Sequence, residues 1–528
     1  MVAAPETLTD PCGSLALTTV LVIFYWVAVG GLCLYGANCY VLCRAFRRGR
    51  ADNLARLAAE RQAYRDQAAG REPPFVTVQL PIYNERYVVA RLLRAVAAFD
   101  YPRSRLEIQV LDDSTDDTTA IVAELAAEIR AQGFQIAHLH RTHRTGYKAG
   151  ALKDGLTRAR GELLAIFDAD FLPGPDFLQQ TVPFFQNAKV GLVQTRWGHL
   201  NRDYSPLTRA QGLAIDGHFG IEQSGRCWAG WLLNFNGTAG IWRRTAIESA
   251  GGWQADTLTE DLDLSYRAQL AGWRIEYATD VEVPAEIPAD ISAFKSQQRR
   301  WAKGSIQTAR KLLGRVWRSE LPLFTRIQAT LHLTHYFVHP LMLIVALLAV
   351  PVLLTSYVVP AAAPVFVALA IALALGTCGP TTLYVTSQRA LREDWKRRLT
   401  SLPVLMLIGT GIAVSNSRAV LEALMGVHTP FVRTPKRSLT DNRRSGVMGF
   451  GYRPKLDVLF VLEAALAVYS AWGVSLYFQR ESYLIGPFLA LYAASFGCVA
   501  LLSLRDNLRL LGRNRRPAGQ PSLSKPVT

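Results

Sequence analysis

The chain has 528 residues, of which 50% are hydrophobic and only 19% charged, and its formal net charge is +16. That charged share is below the ~25% usual for soluble domains, and the length leaves room for two or three structural parts. The basic residues cluster in loops beside apolar segments, where membrane topology requires them, and no basic stripe interleaved with aromatics marks a nucleic-acid surface; no nucleic-acid partner is expected.

The first apolar block runs from about Leu15 to Cys43, longer than the ~20 residues that cross a bilayer. Glu6 and Asp10 precede it, and Arg44, Arg47, Arg48 and Arg50 follow. An acidic leader argues against a signal peptide, and the positive-inside rule sets the N-terminus outside and the chain after Arg44 in the cytoplasm. Residues 1–50 are thus expected as a transmembrane segment and 51–72 as a polar linker helix, stopped by Pro73 and Pro74.

Strands and helices then alternate. Phe75–Leu80, Leu106–Leu111, Gln135–Leu139, Leu163–Phe167 and Val190–Thr195 read as short apolar strands. Helices are expected over Glu85–Phe99, 116–130 and 148–159. This alternation predicts a doubly wound, mostly parallel α/β sheet whose ligand sits at the carboxyl edge of the strands. Three acidic clusters fall at such ends: Asp112-Asp113, Asp168-Ala169-Asp170 and Thr259-Glu260-Asp261. Two carboxylates two residues apart at a strand end can share one hard cation, Mg2+ or Mn2+, with positions left for phosphate oxygens; strand-to-turn capping is the plainer use of such residues. Lys148, at a helix start behind a glycine-bearing loop, and Arg300 suit a diphosphate, and Trp301 beside Arg300 offers a flat face to a sugar ring. Asp261 is the candidate base for an acceptor hydroxyl.

After about Val316 the chain turns apolar again. Leu331–Leu354, Pro360–Val385, Leu456–Phe478 and Tyr483–Leu504 are expected spans, making five in all and a membrane domain over 316–508. The segment 402–424 contains Asn416, Arg418 and Glu422 between two basic flanks, so it is expected as an interfacial or re-entrant helix. His332, His335 and His339 recur at i, i+3, i+7; lining a polar path or pairing with another helix suits them better than a metal site. Residues 509–528 read as a basic, disordered tail.

Together, Asp113, Asp168-x-Asp170, Thr259-Glu260-Asp261 and Gln297-x-x-Arg300-Trp301 resemble the D, DxD, TED, QxxRW signature of processive family-2 glycosyltransferases. The strings Tyr83-Asn84-Glu85-Arg86-Tyr87-Val88 and Gly146-Tyr147-Lys148-Ala149-Gly150 are most similar to the cellulose-synthase-like A and C branch, which includes mannan, glucomannan and xyloglucan-backbone synthases. The resemblance implies a GT-A fold over 73–315, a cytoplasmic domain set between membrane helices. It implies that Asp112 and Asp113 contact base and ribose, and that Asp168 and Asp170 hold metal and diphosphate. Gln297 and Arg300 would bind the diphosphate with Lys148, and Trp301 the acceptor's terminal sugar, with Phe235 and Asn236 in an acceptor-side loop. Asp261 would be the general base, with Glu260 beside it as its catalytic partner. Phe431, Thr434 and Lys436, within 428–446, resemble a gating loop, with Arg433 departing from that pattern. The expectation is an inverting enzyme of a bacterial inner membrane, moving a hexose from UDP-glucose or GDP-mannose to a β-linked polysaccharide. A single addition to a membrane glycolipid acceptor and a non-catalytic channel subunit are the alternatives.

Overall fold

The computed structural model describes residues 11–67, 70, 72–355, 363–429, 436, 457–481, 483 and 485–514. Its centre is a seven-stranded sheet: β1 Val76–Ile82, β2 Leu106–Asp112, β3 Gln135–His140, β4 Leu163–Ile166, β5 Val190–His199, β6 Gly240–Arg243 and β7 Arg274–Ala285, in the order β3-β2-β1-β4-β6-β5-β7. β3, β2, β1 and β4 are parallel, β6 runs antiparallel between β4 and β5, and β7 pairs parallel to β5. The sheet is therefore mostly parallel, as expected, but two strands were not. β6 is only four residues long and β7 carries Glu276, Asp280 and Glu282, so neither reads as an apolar run.

β1, β2 and β4 are buried almost throughout, which favours continuous Val, Ile and Leu runs, whereas the edge strand β3 is mostly half-buried. Val89, Leu92, Leu93 and Val96 form the buried face of the helix Val89–Ala97. That helix starts later than its apolar spacing predicted, because Asn84 takes a left-handed turn (φ 53°) as the chain leaves β1. The helix Tyr147–Arg158 lies hard against the sheet at Gly155, where a Cβ would come within 2.7 Å of Gln79 Nε2 and 2.8 Å of Leu111.

The expected division between a membrane helix and a linker helix is absent. Pro11–Asp66 is one helix of 56 residues, about 84 Å long at 1.5 Å per residue. No proline interrupts it after its first residue, and Gly49 sits within the run, closely packed on Trp228. Its apolar half meets the helix Ala363–Leu391 at glycines: a Cβ on Gly36 would lie 2.4 Å from the Gly376 carbonyl, and one on Gly379 would lie 2.1 Å from that of Gly36. Such small-residue contacts let apolar helices approach closely. Its polar half is fastened to β7, with Arg56 forking onto Glu276 (2.7 and 3.1 Å) and Arg61 paired with Asp280.

Among the described residues, four helices are long and apolar enough to cross a membrane: Thr19–Asp66, Leu323–Leu354, Leu459–Gln479 and Gly486–Leu511. The fifth expected span falls in the helix Ala363–Leu391. The segment 402–424 is bent by 43° between Trp395–Gly411 and Ala413–Leu424. His332 bonds Tyr266 (2.7 Å) and His339 bonds Asn416 on the bent segment (2.9 Å). His332 and His339 thus pair with other helices, whereas His335 bonds the His332 carbonyl at 2.7 Å.

Candidate active site

The reversal of strand order between β1 and β4 opens a crevice at their carboxyl ends, the place where open α/β sheets hold ligands. A cavity of about 160 Å³ lies there. Its wall is drawn from far-apart segments: Asp113 after β2, Lys148 on its helix, Asp168 and Asp170 after β4, Asn236 and Gly237 before β6, Glu260 and Asp261, and Gln297, Arg300 and Trp301 on the helix Ile291–Arg318.

Asp113 is clamped by Arg141 through two bonds of 2.7 Å, a fork that fixes orientation as well as charge. Arg144 lies over the Tyr83 ring, 3.5 Å from its centroid, and both residues line the cavity. Gly146, at φ 70°, supplies the left-handed turn that starts the helix carrying Lys148. The Lys148 ammonium pairs with Asp168 and donates to the Gly237 carbonyl at 2.8 Å. Burial works against this charge, but the carboxylates of Asp168, Glu260 and Asp261 outweigh it and push the Lys148 pKa up. Burial lowers that of Arg300, against the pull of Glu260, Asp168 and Asp261.

The helix Glu260–Leu270 begins at Glu260, so both acids stand in its first turn. Asp261 Oδ1 accepts from the Leu262 amide at 2.8 Å. Its other oxygen faces Gly237, where a Cβ would sit 2.9 Å away; Gly237 also has φ 83°, so a side chain there is excluded twice over. Burial and the neighbouring Glu260 charge push the Asp261 pKa up to about 7, and burial raises Glu260 as well. A helix N-terminus favours the carboxylate, yet burial and like charge win here.

The helix Ile291–Arg318 is brought onto this turn by Gly304, whose Cβ would meet Thr259 at 2.5–2.9 Å. Gly304→Ala is expected to push the helix off the Thr259-Glu260-Asp261 turn. The expected result is a loss of about 1–3 kcal/mol of stability and weaker transfer, read from the unfolding midpoint and initial rates; unchanged values in both would show that the contact does not position the turn.

Two sequence expectations meet a different placement. Asp112 does not line the cavity: its carboxylate accepts from Ser114 N–H (2.8 Å) and faces His138 and His140. Although burial pushes upward, bonds from His138 and Ser114 hold its pKa below the carboxylate range. Phe235 is fully buried beneath the loop, edge-on to Trp242, while Asn236 reaches the cavity and bonds His218 at 3.0 Å. Lys436, expected in a gating loop, contacts Asp170 at 2.7 Å and the Glu286 carbonyl at 3.1 Å; Phe431 and Thr434 lie outside the described residues. Tyr83, Arg144, Trp197, His199 and Glu286 also line the cavity. Of these Tyr83 stood within one of the strings picked out in the sequence, and Trp197 and His199 sit in the extension of β5 beyond its apolar core.

An α/β domain with a carboxylate-rich, lysine- and arginine-bearing crevice at its strand ends, joined to apolar helices, defines a class of membrane-associated group-transfer proteins. Residues 73–304 match the family model described as "Glycosyltransferase like family 2", and this part of the chain is a family-2 glycosyltransferase domain. Similar proteins include rice "Glucomannan 4-beta-mannosyltransferase 1" (Oryza sativa subsp. japonica), 43% identical over 252 residues, or 47% of this chain and 48% of the relative. Arabidopsis thaliana "Glucomannan 4-beta-mannosyltransferase 2" is 44% identical over 252 residues, or 47% of each chain. The chain thus spans about half the length of these relatives. Among solved structures, a Pyrobaculum calidifontis mannosyltransferase in complex with GDP-Man and Mn2+ aligns with 20% identity and TM-score 0.43, covering 73% of this chain and 100% of that one.

Proposed function

We propose that the chain is an inverting hexosyltransferase that lengthens a β-linked polysaccharide from a nucleotide-sugar donor at the cytoplasmic face of a membrane. The observation that carries this reading is that Asp113, Asp168, Asp170, Asp261, Arg300 and Trp301, spread over almost 190 residues of chain, border one cavity. The names of the similar plant proteins specify 4-β-mannosyl transfer to glucomannan, which makes GDP-mannose the first donor to try and UDP-glucose the second. The test is a panel of labelled nucleotide sugars on the purified full chain, with product sizing and linkage analysis. A ladder of β-linked oligomers supports the reading; a single glycolipid, or no transfer from any donor, overturns it.

In this mechanism Asp261 takes the proton of the acceptor hydroxyl, whose oxygen attacks the anomeric carbon from the face opposite the diphosphate; an α-linked donor gives a β-linked product. Lys148 and Arg300 carry the charge that develops on the leaving diphosphate. Trp301 offers its ring to the acceptor's terminal sugar, and Asn236 a polar contact beside it. Asp168 and Asp170 would hold Mg2+ or Mn2+. The hard oxygen donors fit, and each now faces a lysine ammonium where cationic charge is required. A bound divalent ion supplies Lewis-acid neutralisation of the diphosphate. Lys436 would belong to a gating loop, a reading supported by its contact with Asp170. The bent segment 402–424 would re-enter rather than cross the membrane, consistent with its basic flanks.

The raised pKa of Asp261 gives a pH prediction. A base must be deprotonated, so kcat/KM is expected to fall tenfold per pH unit below about 7 and to level off above it. A profile flat from about pH 5 upward would remove Asp261 from the role.

A further inference from the structure

We propose that Asp112, His138 and His140 form a separate binding site for a borderline transition-metal cation of the Zn2+ class, on the sheet edge behind the catalytic cavity. The three side chains rise from adjacent parallel strands: Asp112 ends β2, and His138 and His140 lie two apart on β3, with Asp112 opposite His140 in register. Residues i and i+2 of a strand share a face, so both imidazoles stand on one side. Asp112 Oδ2 lies 2.9 Å from His138 Nε2 and 3.3 Å from His140 Nδ1, and all three ligand atoms lie within 4.8 Å of one another. Metal–ligand bonds of about 2.0–2.1 Å in a tetrahedron set neighbouring ligands about 3.3 Å apart, so small rotamer adjustments suffice to close the site. None of the three lines the catalytic cavity.

The donor set decides the metal. Two imidazoles and one carboxylate select Zn2+, Co2+, Ni2+ or Cu2+ over Mg2+, which favours all-oxygen surroundings. Asp112 is fully buried, whereas the His138 and His140 side chains are 16% and 37% exposed, so the ion enters from solvent and keeps an outward position for water. Three protein ligands with an open position make an exchangeable site rather than a closed structural one. Its location gives it a role. Asp113 and Arg141, each next in sequence to a ligand, form the forked pair at the cavity wall, and the Arg141 amide also donates to the Asp112 carbonyl at 2.9 Å. An ion on Asp112 and His140 braces that pair from behind.

The test uses tag-free, full-length protein in detergent, stripped of metal and held in excess Mg2+ to satisfy Asp168 and Asp170. Titration with Co2+ is expected to give the visible absorption of a tetrahedral site, saturating at one equivalent and bleached by Zn2+. His138→Gln and His140→Gln are each expected to lose this signal, while Asp170→Asn keeps it. Paramagnetic resonance of the Cu2+-loaded wild-type protein, which needs no variant, is expected to show coupling to two nitrogens. Wild-type binding of Co2+ by both histidine variants overturns the proposal, as does a copper spectrum without nitrogen coupling. An unchanged spectrum through one equivalent of Co2+ means that the trio holds only hydrogen bonds, and overturns it equally.

Discussion

Replacing Asp261 by Asn is expected to lower kcat by about 10²–10⁴-fold while leaving donor affinity within a few-fold of wild type. The isosteric amide keeps the volume and can still accept from the Leu262 amide, but it cannot take a proton. The group also sits where its protonation is finely set: burial and Glu260 hold its pKa near 7, against Lys148 and Arg300 pulling the other way. Removing that carboxylate leaves Glu260 with one like charge fewer, so the residue next door becomes easier to ionise rather than harder. Single-turnover rates together with nucleotide binding by calorimetry separate the two effects. Turnover within a few-fold of wild type would end the assignment of Asp261 as base.

The second large effect is expected at Asp170. Asp170→Asn removes one of two carboxylates proposed to hold the divalent cation and strips Lys436 of its 2.7 Å partner. A loss of about 10²–10³ in kcat is expected, the size seen when one preorganised electrostatic contact to developing charge is removed, with a steep rise in the Mn2+ concentration needed for half-maximal rate. Chelation of the wild-type enzyme by EDTA should reproduce the loss and added Mn2+ should reverse it. If Asp170→Asn kept both the rate and the metal requirement, the cation would have to be held by other groups.

Much of this arrangement was legible in the chain itself. Short apolar runs marked the first five strands, and acids at their carboxyl ends marked the crevice, because burial on both faces and the turn at a strand end each leave a compositional trace. β6 and β7 left none: one is too short, and the other alternates apolar with acidic residues that answer Arg56, Arg61 and Arg196 across space. Asp112 and Asp113 show the limit most clearly. Adjacent residues at a strand end point apart, so one faces the cavity and the other the histidines of β3, and which does which depends on pairing register rather than on local sequence. Trp197 and His199 escaped for the same reason: they reach the cavity only because β5 runs on past its apolar core.

The 56-residue helix has a mechanical consequence. With no hinge between its glycine-packed half and the half held by Arg56 and Arg61, it acts as a drive shaft. The contacts with Gly376 and Gly379 and the ion pairs to β7 thus lie on one uninterrupted rod.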